Sequence, residues 1–179
     1  MDVGRGYDFF MKTEELKELQ APLKAKYRET PDAAVITLKA QGQLGEGITC
    51  SVQTGKALVA AGLHPATGGD GLSACSGDML LEALVACAGV TLGAVASAIG
   101  VDVRKGRVHA EGDLDFRGTL GVAKDAPVGF KTIRLRFELE TDASNEQIAT
   151  LQKLTERYCV VAQSLRQPPE FSISRRRSA

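Results

Sequence analysis

The feature that most restricts how this chain can fold is a run of 17 consecutive residues without a charge, Ala83 to Ile99, directly after Glu82. Asp78 to Ile99 reads as one helix, with Ser76 or Asp78 able to cap its start and Gly100 to end it. A bilayer span is the rival reading, because about 20 apolar residues cross a membrane. The run is shorter than that, is built of alanine and glycine more than leucine and isoleucine, and lies among amphipathic strands. A helix apolar all round in a soluble protein must be covered on every side, and small side chains let neighbouring backbones approach. The expectation is a buried central helix. One small sheet cannot surround it, so burial between two subunits of an obligate dimer is expected.

The flanking segments read as strands and amphipathic helices. Residues 1–30 form a helical arm in which Thr13 can cap Glu14 onward, and Leu16, Leu19 and Leu23 make an apolar stripe that Pro22 interrupts. Residues 31–179 are read as a single domain, a length that supports one real core. Val35 to Ala40 is β-branched and apolar, Gly42 to Gly47 reads as a glycine-rich turn, and Ile48, Cys50, Val52 and Thr54 alternate as a half-buried strand. Lys56 to Leu63 is a weaker strand, and Pro65 to Ser76 a glycine-rich loop. After the central helix, Val108, Ala110, Leu114 and Phe116 share a strand face, and a polar loop spans about Arg117 to Gly129. Ile133, Leu135, Phe137 and Leu139 alternate with charged residues in a strong amphipathic strand. Ser144 with Gln147 makes a capping box for a helix from Asn145 to about Leu165, which Pro168 and Pro169 stop before a last short strand at Phe171 and Ile173. Grouped strands separated by helices indicate an α+β fold with largely antiparallel sheets around the central helix.

Charge and cysteine usage exclude several functions. With 22 basic and 22 acidic residues the chain has no net field to draw nucleic acid or anionic lipid, and Arg175-Arg176-Arg177 reads as a solvated tail. The first residues lack the apolar core of a secretory signal, so a cytoplasmic, reducing location is expected. Four cysteines, at 50, 75, 87 and 159, form no C-x-x-C pair, and both histidines stand alone, so no metal site is expected. Gly68-Gly69-Asp70-Gly71 lacks the Lys-Ser/Thr of a phosphate loop, and no Gly-x-Ser-x-Gly elbow is present. Taken alone, a cysteine in an alanine/glycine helix behaves as a small packed hydrophobe. Cys50, on the apolar face of its strand, reads as structural. Cys75 reads as exposed in its loop, and His64 and His109 as loop and strand-surface residues.

Two segments nevertheless carry a family likeness. Asp78-Met-Leu-Leu-Glu-Ala-Leu-Val-Ala-Cys87 resembles the stretch leading to the first reactive cysteine of the OsmC/Ohr family. Tyr158-Cys159-Val-Val-Ala-Gln-Ser-Leu165 resembles the segment of the second. The order of strands, central helix, strands and second helix is similar as well, over roughly residues 33–175. The resemblance implies an intertwined homodimer that reduces organic hydroperoxides in oxidative-stress defence, without a bound cofactor and reset by an external dithiol. It implies that Cys87 is the peroxidatic thiol, Cys159 the resolving thiol, and Asp78 the acid that opens the central helix at the site. The family's activating arginine comes from the first hairpin; here that hairpin, Gln41 to Gly47, contains none, and the opening acid is Asp78 where glutamate is usual. Cys87 also lies beyond the first helical turn, where the dipole acts. Another group must stabilise its thiolate; Arg28, Arg134 and Arg136 are the candidates. The alternative function is a non-catalytic dimer, an apolar-ligand binder or slow redox sensor.

Overall fold

The structure, a computed structural model, describes residues 57–121 and 123–176, the strand segments 42–45 and 49–54, and positions 12–14, 18, 21 and 29. The strand expected at Val35 to Ala40 and most of the arm expected over residues 1–30 lie outside the described residues. The architecture is mixed α+β. The chain divides into two compact units: one holds Met1–Val35, Leu84–Glu111 and Arg134–Ala179, the other Ile36–Ala83 and Gly112–Ile133.

In the second unit β1 (Gly42–Gly45), β2 (Thr49–Thr54), β3 (Ala57–Gly62) and β4 (Ala74–Cys75) form a sheet in that order. The first three pair antiparallel; β4 lies parallel to β3. The expected turn at Gly42 to Gly47 is corrected here: Gly42 pairs with Val52 and Gly45 with Thr49, because a ladder needs only backbone groups. The expected loop at Pro65 to Ser76 likewise contains β4 and a 3-10 turn, Pro65–Thr67. His64 Nδ1 caps that turn by accepting from Ala66 N–H at 3.0 Å.

The central helix α1 runs from Ser76 to Ile99, and Gly100 ends it at φ +70°, a conformation that costs a side chain but not glycine. Leu84, Ala88, Leu92, Val95 and Ala96, spaced at three and four, form its buried stripe. Within the single chain the helix is not covered on every side: Val90 is 76% exposed. By length and composition this helix could cross a membrane.

The remaining elements are β5 (Lys105–Leu114), a one-turn α2 (Phe116–Thr119) that takes Phe116 out of the expected strand, β6 (Phe130–Glu140), α3 (Asn145–Tyr158), α4 (Val160–Ser164) and β7 (Glu170–Arg176). Their sheet has the order β5-β6-β7. β5 and β6 run in opposite directions, since Arg104 N–H meets Glu140 C=O while Glu111 meets Arg134. β7 is parallel to β6, with Leu135 opposite Phe171 and Phe137 opposite Ile173. Parallel pairing requires a long crossover, and α3 with α4 supplies it. Leu135, Phe137 and Leu139 on β6 are buried, as are Leu151 and Thr155 on α3. Burying each large apolar side chain contributes about 1.5–3 kcal/mol.

Candidate functional site

α1 carries Cys87 half-buried beside its buried stripe. Cys159 comes from the crossover and is fully buried. The sequence predicts one helix from Asn145 to Leu165, and the structure corrects that. The capping box forms as expected, with Gln147 N–H donating to Ser144 Oγ at 3.2 Å and Ser144 N–H to Gln147 Oε1 at 2.8 Å. The helix then breaks at Cys159, whose φ of −72° and ψ of 105° are extended. Cys159 ends α3 by donating its N–H to Thr155 C=O and starts α4 by accepting from Gln163 N–H, each at 3.0 Å. The side-chain amide of Gln163 spans the break, donating to Glu156 C=O at 2.8 Å.

The break matters because the first N–H groups of a helix have no acceptor within it. The Cys159 side chain does not cap α4. The N–H groups of Val161 and Val160, the Cys159 thiol and the Thr91 side chain lie close enough to Cys87 to favour its thiolate, while the Thr91 hydroxyl itself donates to the Cys87 carbonyl at 2.8 Å. Burial by itself raises the pKa of Cys87, but these donors outweigh it and hold the thiol below its ordinary value, Val161 N–H contributing most. The Cys159 pKa moves the other way. Burial raises it first, and the neighbouring Cys87 raises it further, against the N–H groups of Ala162 and Val161. The two sulfurs thus sit in unequal surroundings, Cys87 pushed toward its thiolate and Cys159 toward its thiol. Nothing in the residue pattern around 159 announces this break; the donors at 160 and 161 become visible only with it.

The remaining candidate residues are placed as follows. Asp78 is exposed in the first turn of α1, where an acid suits the helix dipole, and belongs to the other compact unit from the two thiols. Arg134 lies 3.5 Å from Glu111 and Arg136 3.3 Å from Glu138. The donors that lower Cys87 among the described residues are all uncharged. Arg28 lies outside the described residues. Cys75 is half-buried in β4, and Cys50 is in β2 opposite Ala61, its side chain outside the description. His109 Nε2 is 3.8 Å from a Glu138 carboxylate oxygen. His64, besides its capping role, stacks on Phe116 with ring centroids 4.9 Å apart.

Residues 68–174, more than half of the chain, match the family model described as OsmC-like protein. Solved structures share the fold. An OsmC-like protein from Mycoplasma pneumoniae superposes with a TM-score of 0.62 at 16% identity, covering 80% of this chain and 96% of that one. An organic hydroperoxide resistance protein from Elizabethkingia anophelis gives 0.63 at 13% identity, covering 81% and 99%. A third, an organic hydroperoxide resistance protein from Legionella pneumophila, gives 0.61 at 17% identity over 79% and 98%. No curated protein sequence matches the chain.

Proposed function

The chain belongs to the family of OsmC-like proteins, and from that premise we propose that it is a cytoplasmic thiol peroxidase reducing organic hydroperoxides through Cys87 and Cys159. What supports this reading is the closeness of the Cys87 and Cys159 thiols at the break between α3 and α4, in unequal surroundings. The thiolate is the reacting form of cysteine, and a lowered pKa keeps Cys87 in that form at lower pH. Its attack on the peroxide forms an S–O bond and breaks the O–O bond, leaving Cys87 as sulfenic acid and releasing an alkoxide. Cys159 holds the proton the alkoxide needs, and its own thiolate then attacks the sulfenic sulfur. The products are a Cys87–Cys159 disulfide, the alcohol and, after one proton from solvent, water. An external dithiol returns the disulfide to two thiols, so no bound cofactor is required.

Substrate class and assembly follow from the same surroundings. Val90, three residues past Cys87, and Tyr158 and Val160, flanking Cys159, are 76%, 56% and 65% exposed. Such apolar surroundings favour an organic peroxide over hydrogen peroxide, and a second copy of the chain adds to them in the proposed homodimer. The uncharged donor set favours slower chemistry than a cationic one, and a slow redox sensor is the second reading.

Rapid-mixing consumption of cumene hydroperoxide in the presence of a dithiol tests the proposal. Wild type is expected to turn over, Cys87→Ser to be inactive, and Cys159→Ser to stop after about one equivalent. Turnover that survives Cys87→Ser removes the mechanism.

A further inference from the structure

The outer face of the β5-β6-β7 sheet, opposite the buried Leu135, Phe137 and Leu139, carries charged side chains from end to end. Residues two apart on a strand share a face, so these charges fall in rows that cross all three strands. At one end Lys105 lies 3.6 Å from Glu140, which pairs in register with Arg176. At the other end Glu111 lies 3.5 Å from Arg134, which pairs in register with Glu170. From β5 to β7 the first row reads plus, minus, plus, and the last reads minus, plus, minus. Lys105 to Glu111 and Arg134 to Glu140 are steps of equal length, so the register between the two rows is unbroken. Opposite charges on neighbouring strands stabilise each row within the chain. That local rule would be met equally well by the same row twice, so it does not explain why the two ends are inverted.

We propose that this face docks on the same face of a second copy of the chain, turned end for end. A two-fold axis running across the strands, between Arg136 and Glu138, lays the first row of each copy on the last row of the other. Lys105 then meets Glu111 of the other copy, Glu140 meets its Arg134, and Arg176 meets its Glu170. Beside the axis Glu138 meets Arg136, and the hydroxyls of Ser174 and Ser172 come together. The one column without an ion pair sets Arg107 against His109. A two-fold axis along the strands does the opposite: Lys105 falls on Arg176, and Glu140 on its own counterpart. The pattern therefore favours one orientation and repels the other. Two clefts on this face, of about 590 and 490 Å³, lie toward its two ends. The same rotation exchanges them, so side chains rising from one copy find room in the other. The contact spans about 20 Å along the strands and about 10 Å across them, well short of the roughly 800 Å² per partner of a stable interface. It is therefore a weak association, and salt weakens it further because the charges are exposed. It goes beyond the peroxidase reading, using neither thiol and no residue of α1.

The test exchanges charge in one column, with Lys105→Glu and Glu111→Lys made as separate variants. These side chains are 78% and 69% exposed, where substitution leaves stability nearly unchanged. In sedimentation equilibrium at about 20 mM salt, wild type is expected to gain mass with concentration, and about 500 mM salt to remove the gain. Each variant alone puts like charges together twice in every contact and is expected to weaken self-association about tenfold. An equimolar mixture of the two is expected to restore it, because each variant then meets the opposite charge on the other. A mixture no stronger than either variant alone, or a wild-type mass independent of salt, overturns the proposal. Should a variant fail to fold, Arg176→Glu with Glu170→Arg makes the same exchange on β7. The salt-sensitive gain is expected to persist in Val90→Asp; a gain that vanishes there belongs to α1 and also overturns the proposal. Cumene hydroperoxide consumption is read separately. A protein that consumes no peroxide but passes the charge exchange loses the peroxidase reading and keeps this one, and the converse result does the reverse.

Discussion

Cys87 and Cys159 carry the same functional group, and their surroundings make them unequal. Cys159 is sealed from solvent, and desolvation penalises its anion. Cys87 is only half-buried and receives uncharged donors from both its own helix and the crossover. This inequality has a definite pH signature. The Cys87 pKa is depressed by folding, so its contribution to stability is present above the unfolded thiol pKa and is lost as pH falls through the folded one. The Cys159 pKa is raised, so its contribution is present below the unfolded value and is lost as pH rises through the folded one. Alkylation of the reduced wild-type protein, mapped by peptide mass, is expected to show Cys87 reacting from a lower pH than Cys159. Equal profiles at 87 and 159 would show that the two sulfurs share one environment. Both cysteines could be picked out of the sequence, because each sits in a recognisable segment. Their acidities could not, since Val160 and Val161 act through backbone N–H groups that every residue type possesses. Which arginine could reach the thiol is not legible in the sequence either, and Arg134 and Arg136 each lie beside a glutamate.

At the scale of elements, the break between α3 and α4 is what converts a packed helix into part of a site. The apolar stripe of Ile148, Leu151, Leu154, Tyr158, Val161 and Leu165 runs straight through it, and no glycine or proline marks residue 159. Apolar spacing runs on across an interruption of a single residue, although the face actually buried follows Leu151, Thr155, Cys159 and Ala162, with Tyr158 56% exposed. The Ser144–Gln147 box was legible because capping is a local contact between residues three apart. Strand β1 was not, because glycines advertise turns while the pairing with β2 uses only their backbone. The side chain holding the break open is Gln163, whose amide occupies the Glu156 carbonyl. Gln163→Leu is expected to cost about 1 kcal/mol in urea unfolding, the usual net value of one such bond. It is also expected to slow Cys87–Cys159 disulfide formation, because the N–H groups aimed at Cys87 lose their fixed orientation. A variant that loses stability but oxidises at the wild-type rate would show that α4 is positioned by other contacts.

For the whole molecule, α1 poses the question that its sequence raised. One face is buried within the chain through Leu84, Ala88, Leu92, Val95 and Ala96, while Val90 on another face is 76% exposed. A helix without a charge from Ala83 onward and with one uncovered face must find apolar surroundings, either a bilayer or a second protein surface. The buried stripe argues against the bilayer, since a spanning helix would have to expose Leu84, Ala88, Leu92, Val95 and Ala96, which the chain now seals. A helix of 24 residues is about 36 Å long, enough to anchor a stable interface of roughly 800 Å² per partner. A second copy of α1 offers the same small-residue surface, and pairing like with like closes the assembly at two chains. Sedimentation of the wild type is therefore expected to give twice the chain mass. Val90→Asp is expected to give single chains, because an unpaired carboxylate at the centre of an apolar interface costs several kcal/mol, whereas at an exposed position it costs about 0.5 kcal/mol or less. The same exposure ensures that the variant folds if the chain is monomeric. In that case Val90→Asp and wild type sediment alike, and the dimer is ruled out. Flotation with lipid vesicles decides the other branch: wild type that floats, and Val90→Asp that does not, would mean that the uncovered face meets lipid instead of protein.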